Sequence, residues 1–273
     1  MNYRHAYHAG NFADCMKHAA LLWLLGALQR KPAGVFVLDT HAGAGRYDLS
    51  TGPAMRTAEW RTGIARLLDD PPAALADYLS LVRRCGLYPG SPVLLAALLR
   101  PQDRLACCEL HPDEYRSLRA ELAGKGVAVH RRDGWEALGA LLPPPGGLHR
   151  ALVLVDPPYE AEDEFSRLAA GLARGQARFP AGVFAAWYPI KHRAPVRAFH
   201  AAIREAGLRD VVAAGLWLRE PLDATRLNGS GLAVINPPFG FEAAAGTLLA
   251  ALLARLGAGE AGQGFAVERI VDE

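Results

Sequence analysis

Short apolar runs rich in β-branched residues alternate along this chain with longer stretches where leucine and alanine recur at helical spacing. Residues 34–39 (GVFVLD), 104–110 (RLACCEL), 126–130 (GVAVH), 151–155 (ALVLV) and 182–187 (GVFAAW) read as strands. Residues 211–218 and 231–235 are the sixth and seventh. The first five are near-continuous hydrophobic runs, as expected of strands covered on both faces. Helices are predicted between them at 112–123, 135–142, 162–174, 195–207 and 242–256. Strand and helix in repetition argue for a doubly wound α/β sheet, and in such a sheet ligands bind beyond the carboxyl ends of the strands.

One segment breaks the rhythm. From 47 to 101 no clear strand is evident, while 57–68 and 73–84 read as helices. This is a helical insertion between the first and second strands of a single domain spanning 1–273. The expected fold is therefore α/β, with a seven-stranded, mostly parallel sheet, helices on both faces and a small helical insertion subdomain.

Composition narrows the class. The chain has 273 residues, 51% of them hydrophobic, enough for a substantial core. A net charge of +2 excludes a protein that coats nucleic acid by charge alone, although 30 Lys and Arg leave room for a local basic face. Cys15, Cys85, Cys107 and Cys108 match neither a zinc spacing nor a CxxC pair, so buried thiols in a reducing cytoplasm are expected and no metal. The apolar stretch 18–28 lies between Lys17 and Arg30 and is too short to span a bilayer. It also lacks the features of a secretory leader.

The polar motifs fall at predicted strand ends. Asp39-Thr40-His41-Ala42-Gly43-Ala44-Gly45 is a glycine-rich turn that lets the backbone approach a ligand, or serves only as a turn. Its spacing is not that of a dinucleotide site. Glu109 ends the second strand, where an acid can accept from both ribose hydroxyls of a nucleoside cofactor, or can simply be solvated. Asp133-Gly134 follows the third strand, as an adenine acceptor with room for the ring or as a plain turn.

Asp156-Pro157-Pro158-Tyr159 follows the fourth strand and is the sharpest signal. An adenine amino nitrogen is a poor nucleophile, because its lone pair is delocalised. A carboxylate and a loop carbonyl accepting its two N–H bonds draw density back to nitrogen, and the carboxylate can take the released proton. Proline carries no N–H and stiffens the turn, and Tyr159 can stack on an extruded base. Asn236-Pro237-Pro238-Phe239 fits the same pattern, but it follows the last strand, which is expected to lie away from the reacting methyl group. At the amino terminus, Asn11 is a good N-cap with Asp14 in the first turn. Asp14, Lys17 and His18 share one helical face, in a surface or a functional role.

With these residues assembled, the chain resembles the class I, Rossmann-like S-adenosylmethionine methyltransferases. More narrowly, it resembles the bacterial RlmJ family, the 23S rRNA (adenine(2030)-N6)-methyltransferases. The resemblance covers essentially the whole chain and rests on YRHAYHAGNFADCMKH, LDTHAGAGRY, YPGSP, ELHP, DPPYE, WYP and INPPF. It implies S-adenosyl-L-methionine as cofactor, held by His18, His41, Ser91, Glu109, Asp133, Gly134 and Asp156. It implies Asp156 as proton acceptor within the catalytic loop Asp156, Pro157, Pro158 and Tyr159, Tyr3 against the substrate, and a helical insertion that helps shape the RNA site. Lys17 lies in the same motif at lower rank. Phe12 stands where the family leads one to expect histidine, outside these contacts. The implied partner is 23S rRNA presenting a single-stranded or extruded adenine to a cytoplasmic monomer, with neither membrane nor metal. A DNA adenine methyltransferase would use the same loop but would need a target-recognition region, and none stands out beyond the insertion. A catalytically idle RNA-binding protein would bind no cofactor. A nicotinamide dehydrogenase fits neither the glycine spacing nor the absence of a hydride-transfer acid.

Overall fold

A computed structural model describes residues 4–272. Helix α1 (Phe12–Gln29) begins where the Asn11 side-chain oxygen accepts the Asp14 N–H at 3.0 Å. It leads into β1 (Phe36–Asp39). There follow β2 (Arg46–Tyr47), α2 (Gly52–Thr57), α3 (Ile64–Asp69), α4 (Ala76–Cys85), β3 (Tyr88–Pro89) and α5 (Ser91–Ala96). The alternation then becomes regular: β4 (Arg104–Cys108), α6 (Pro112–Glu121), β5 (Ala128–His130), α7 (Gly134–Ala140), β6 (Ala151–Val155), α8 (Glu164–Arg178), β7 (Val183–Ile190) and α9 (Arg193–Glu205). The chain closes with β8 (Val211–Trp217), β9 (Gly229–Ile235), α10 (Phe241–Leu256) and β10 (Gly264–Val271).

The main sheet has the order β10-β8-β9-β7-β6-β1-β4-β5. It has eight strands rather than the expected seven. The strand missed from sequence is β10, which pairs antiparallel with β8 at the sheet edge. Its burial alternates only weakly, and Glu268 and Arg269 are exposed, so it carries no continuous apolar run. Strands β7, β6, β1, β4 and β5 are mutually parallel, whereas β9 runs antiparallel between β7 and β8.

Alternation along the strands divides the core into two layers. Val37, Leu152 and Leu154 face α1, α5 and α10, while Phe36, Leu38, Val153 and Val155 face α7, α8 and α9. This is the doubly wound arrangement. Its register brings the motifs together: Asp39 sits beside Cys107 on one side and Leu154 on the other, and Cys108 sits beside His130. The residues that follow these strands, Thr40-His41, Glu109, Asp133 and Asp156, therefore share one rim.

Asn236 lies at the opposite rim. Because β9 is antiparallel, its last residue, Ile235, pairs with Phe184 near the start of β7. Asn236 has φ 50°, and its amide donates to the Pro180 and Gly182 carbonyls, each at 2.7 Å. It ties two loops together far from the motif-bearing edge.

Residues 57–68, expected as one helix, are instead broken. Ala58 is left-handed, a 3₁₀ turn covers Glu59–Arg61, and α3 starts after Gly63. The cause is a tertiary contact. The Ile64 N–H donates to the Gly10 carbonyl at 2.8 Å, and a Cβ on Gly63 would collide with that carbonyl. The 47–101 stretch also contains one short strand: β3 pairs antiparallel with β2 in a two-stranded ribbon. Among the described residues, no helix is long and apolar enough to cross a membrane, and no group of three His, Cys, Asp or Glu is placed to hold a metal ion.

Candidate active site

A cavity of about 280 Å³ opens at the motif-bearing rim. His18, His41, Ser91, Glu109, Asp133, Gly134 and Asp156 all line it, as do Pro157 and Pro158. Residues scattered between positions 18 and 158 of the sequence thus converge on one space. Tyr3 lies outside the described residues.

Each polar group is held by its local fold. Glu109 continues from β4, and its carboxylate accepts the backbone N–H of His111 at 2.7 Å and of Gly43 at 2.9 Å. Burial pushes its carboxyl up, against those two donors. Asp133 is the N-cap of α7. Its Oδ1 accepts the Trp135 and Glu136 N–H groups, while Oδ2 has no protein partner among the described residues. Gly43 has φ 61°, and a Cβ there would strike the Tyr47 hydroxyl. The space beside Gly134 is filled by the Thr40 carbonyl and the His41 ring, 2.6 Å from where a Cβ would stand. The glycine therefore admits His41, which is held by Thr40 Oγ1 at 2.8 Å and packs edge-on to Trp135. Burial lowers His41 to about 4 and His18 to about 3, so both rings are neutral walls.

The cavity is rich in acceptors that the protein leaves unsatisfied. In its wall Glu114 Oε2 and Glu164 Oε1 are buried without a hydrogen-bond partner among the described residues, Glu164 having only an ion pair with Arg167 at 3.6 Å, and Asp39 Oδ1 is likewise unpartnered behind Ser91. Asp39 Oδ2 accepts from Ser91 Oγ at 2.7 Å, and burial pushes the Asp39 carboxyl up to about 7. Glu114 and Glu164 also line the cavity. Such a lining suits a ligand with several N–H and O–H donors and positive charge, and S-adenosylmethionine has both. The residues present fit that cofactor.

Asp156 also lines a second space, a groove of about 750 Å³ on the far side of the loop. Tyr159 belongs to this groove and not to the first cavity. It has φ 52°, donates its hydroxyl to the Trp187 carbonyl at 2.9 Å, and meets the Trp187 ring edge-on at 5.6 Å. Lys17, His5 and Pro158 line both spaces as well.

Sequence reasoning gave too little weight to the charges on α1. Lys17 Nζ donates to Asp156 Oδ2 at 2.6 Å and lies 2.9 Å from Asp14 Oδ1. Asp14 Oδ2 accepts from His5 Nε2 at 2.8 Å and from the Gly10 N–H at 3.0 Å. Burial works against the charged form of Lys17, yet Asp14 and Asp156 beside it hold its pKa above the ordinary value. Burial likewise works against the Asp14 carboxylate, but His5 and Lys17 keep it well below the usual range. Asp156 Oδ1 has no partner among the described residues. The 14, 17, 18 spacing put these charges on one face, but no local signal showed that this face turns inward.

The comparisons with known proteins show the family. The family described as "RsmJ: Ribosomal RNA large subunit methyltransferase D, RlmJ" matches residues 32–270. Two curated relatives are named ribosomal RNA large subunit methyltransferase J. The one from Escherichia coli is 40% identical over 251 residues, and the one from Haemophilus influenzae 38% over 252. Each alignment covers 89% of both chains. The crystal structure of protein LPL1258 from Legionella pneumophila shares 34% identity and a TM-score of 0.87, covering 96% of this chain and 98% of that one. This chain belongs to the RlmJ family of ribosomal RNA large subunit methyltransferases.

Proposed function

We propose that the chain transfers the methyl group of S-adenosylmethionine to the N6 amino group of an adenine in 23S rRNA, adenine 2030 by family resemblance. One observation carries this reading. Asp156 stands at the junction of an acceptor-rich cavity and an aromatic-walled groove, with Oδ2 tied to Lys17 and Oδ1 open.

The cofactor supplies an electrophilic methyl carbon on a sulfonium. Glu109, Asp133, Ser91, His18, His41 and Gly134 would hold it in the first cavity, with Asp39 behind Ser91. Asp156 Oδ1 accepts one N–H of the amino group and a carbonyl of the Pro157-Pro158 turn accepts the other. Both draw electron density toward nitrogen as positive charge develops there. An alkylated aryl-ammonium is a strong acid, so its proton passes readily to Oδ1. Lys17 fixes the carboxylate through Oδ2 and leaves Oδ1 facing the base. Tyr159 and Trp187 wall the base site. The amino group is engaged in pairing within a helix, so the adenine enters single-stranded or extruded.

The same reading places the enzyme in the cytoplasm as a monomer, with 47–101 as a helical subdomain that shapes the RNA site. Glu59 and Arg66 of that stretch line the groove. The test is tritiated methyl transfer to unmodified 23S rRNA fragments and to duplex DNA, followed by mapping of methylated adenines. Incorporation into one rRNA adenine and none into DNA is expected. Incorporation into DNA alone, or none into rRNA, overturns the reading.

A further inference from the structure

The groove behind Asp156 is larger than one base requires, and its five carboxylates and five Lys and Arg side chains are unevenly paired, with three of the cations standing apart. Its carboxylates with described partners are already matched by nearby donors: Asp14 and Asp156 by Lys17, Glu59 by His8 at 3.0 Å, and Glu260 by Arg219 at 3.1 Å. Three exposed cations in the lining have no carboxylate within ion-pairing distance among the described residues. They are Arg66 on α3, Lys191 just after β7, and Arg226 in the β8–β9 loop. They come from three separate elements and are interleaved with Tyr159, Trp187, Pro189, Leu218 and Leu227. Unpaired cations around an apolar and aromatic floor are the combination that holds single-stranded nucleic acid, with cations on the phosphates and rings under the bases.

We propose that Arg66, Lys191 and Arg226 bind phosphates of the single-stranded RNA flanking the target adenosine, so that the groove holds the strand as well as the base. This rests on the rRNA methyltransferase reading. It adds three residues whose work is to position the RNA rather than to take part in the chemistry. Phosphate contacts of this kind set affinity and register and carry no sequence information of their own.

The test compares wild type with the triple variant Arg66→Gln, Lys191→Gln, Arg226→Gln, and with a control triple at exposed sites outside the groove, Lys31→Gln, Arg119→Gln, Arg174→Gln. The probe is a single-stranded RNA oligonucleotide containing the unmodified target adenine, titrated across salt concentrations. Losing three phosphate contacts lowers the slope of log affinity against log salt by about 2 and raises KM for RNA about tenfold or more. The kcat at saturating RNA and the calorimetric affinity for S-adenosylmethionine are expected to stay at wild-type values. The proposal is overturned by an unchanged salt slope in the groove variant. It is also overturned by an equal change in the control triple, or by an equal change on a fully paired duplex in place of the single strand. If wild type methylates no rRNA, the function reading itself fails, and that outcome is separate from these.

Discussion

Lys17 Nζ lies 2.6 Å from Asp156 Oδ2 across 139 positions of sequence, and 2.9 Å from Asp14 Oδ1 one helical turn away. One ammonium therefore serves two enclosed carboxylates. Replacing it with Met leaves Asp156 without a counter-charge and Asp14 with His5 alone. Lys17→Met is expected to lower unfolding stability by about 3–5 kcal/mol and kcat by about 10²-fold or more. Urea unfolding and single-turnover methyl transfer measure the two effects, and unchanged values in both would show that the pair does no work.

Asp156→Ala tests the acceptor itself. The cavity keeps Glu109, Asp133 and Ser91, so calorimetric affinity for S-adenosylmethionine is expected within about threefold of wild type while kcat falls about 10²–10⁴-fold. Activity near wild type would remove Asp156 from its assigned role.

Asn236→Ala separates the two Pro-Pro loops. It removes two side-chain hydrogen bonds, to the Pro180 and Gly182 carbonyls. A loss of about 1–3 kcal/mol in stability is expected, with kcat at saturating substrates unchanged. A collapse of kcat in a folded variant would return Asn236 to the catalytic candidates.

Gly134→Ala places a methyl group against the Thr40 carbonyl and the His41 ring. His41 must shift away, and the cavity wall shifts with it. An approximately tenfold weaker affinity for S-adenosylmethionine is expected, from the 1–3 kcal/mol typical of overpacking, together with a folded circular dichroism spectrum. Wild-type affinity would show that the His41 wall is not part of the cofactor site.

Asp39 predicts a pH dependence. Burial pushes its carboxyl up to about 7, from 3.8 as the ordinary value. Between those limits the unfolded chain has released the proton and the folded chain still holds it. Stability from this group is therefore complete below about pH 4 and is lost as pH rises through 7, at up to about 1.4 kcal/mol per pH unit. Unfolding curves at pH 4.5–7.5 for wild type and Asp39→Asn check this. The variant is expected to have the flatter profile, and parallel profiles would refute the assignment.

Much of this was readable in the sequence because the parallel strands are covered on both faces. Residues 151–155 could be bounded to the residue, since every position is buried. Strand β10 could not, because only Ile270 of its residues is buried and its signal resembles a loop. The break in the 57–68 helix was invisible for a different reason: Gly63 answers to the Gly10 carbonyl, not to its neighbours in sequence. At the site, the Asp156 loop carried its own signature, whereas Glu109 and Asp133 each read equally as a solvated strand end or a turn until the other motifs stood beside them. Lys17 and Asp14 carried none beyond sharing a face, since their meaning depends on a carboxylate that arrives 139 positions later.

The contact between Gly10 and Gly63 has a mechanical consequence. Gly10 has φ 77°, and a Cβ there would press on Ile64 at 2.9 Å, just as one on Gly63 would meet the Gly10 carbonyl. The two backbones are bolted together without a side chain between them. The start of α3, which carries Arg66, is thereby fastened two residues ahead of the helix that carries Lys17. A displacement of the start of α3 would have to break this contact or carry the start of α1 with it. At this seam α3 is placed less like a hinged flap than like a bracket fixed to α1.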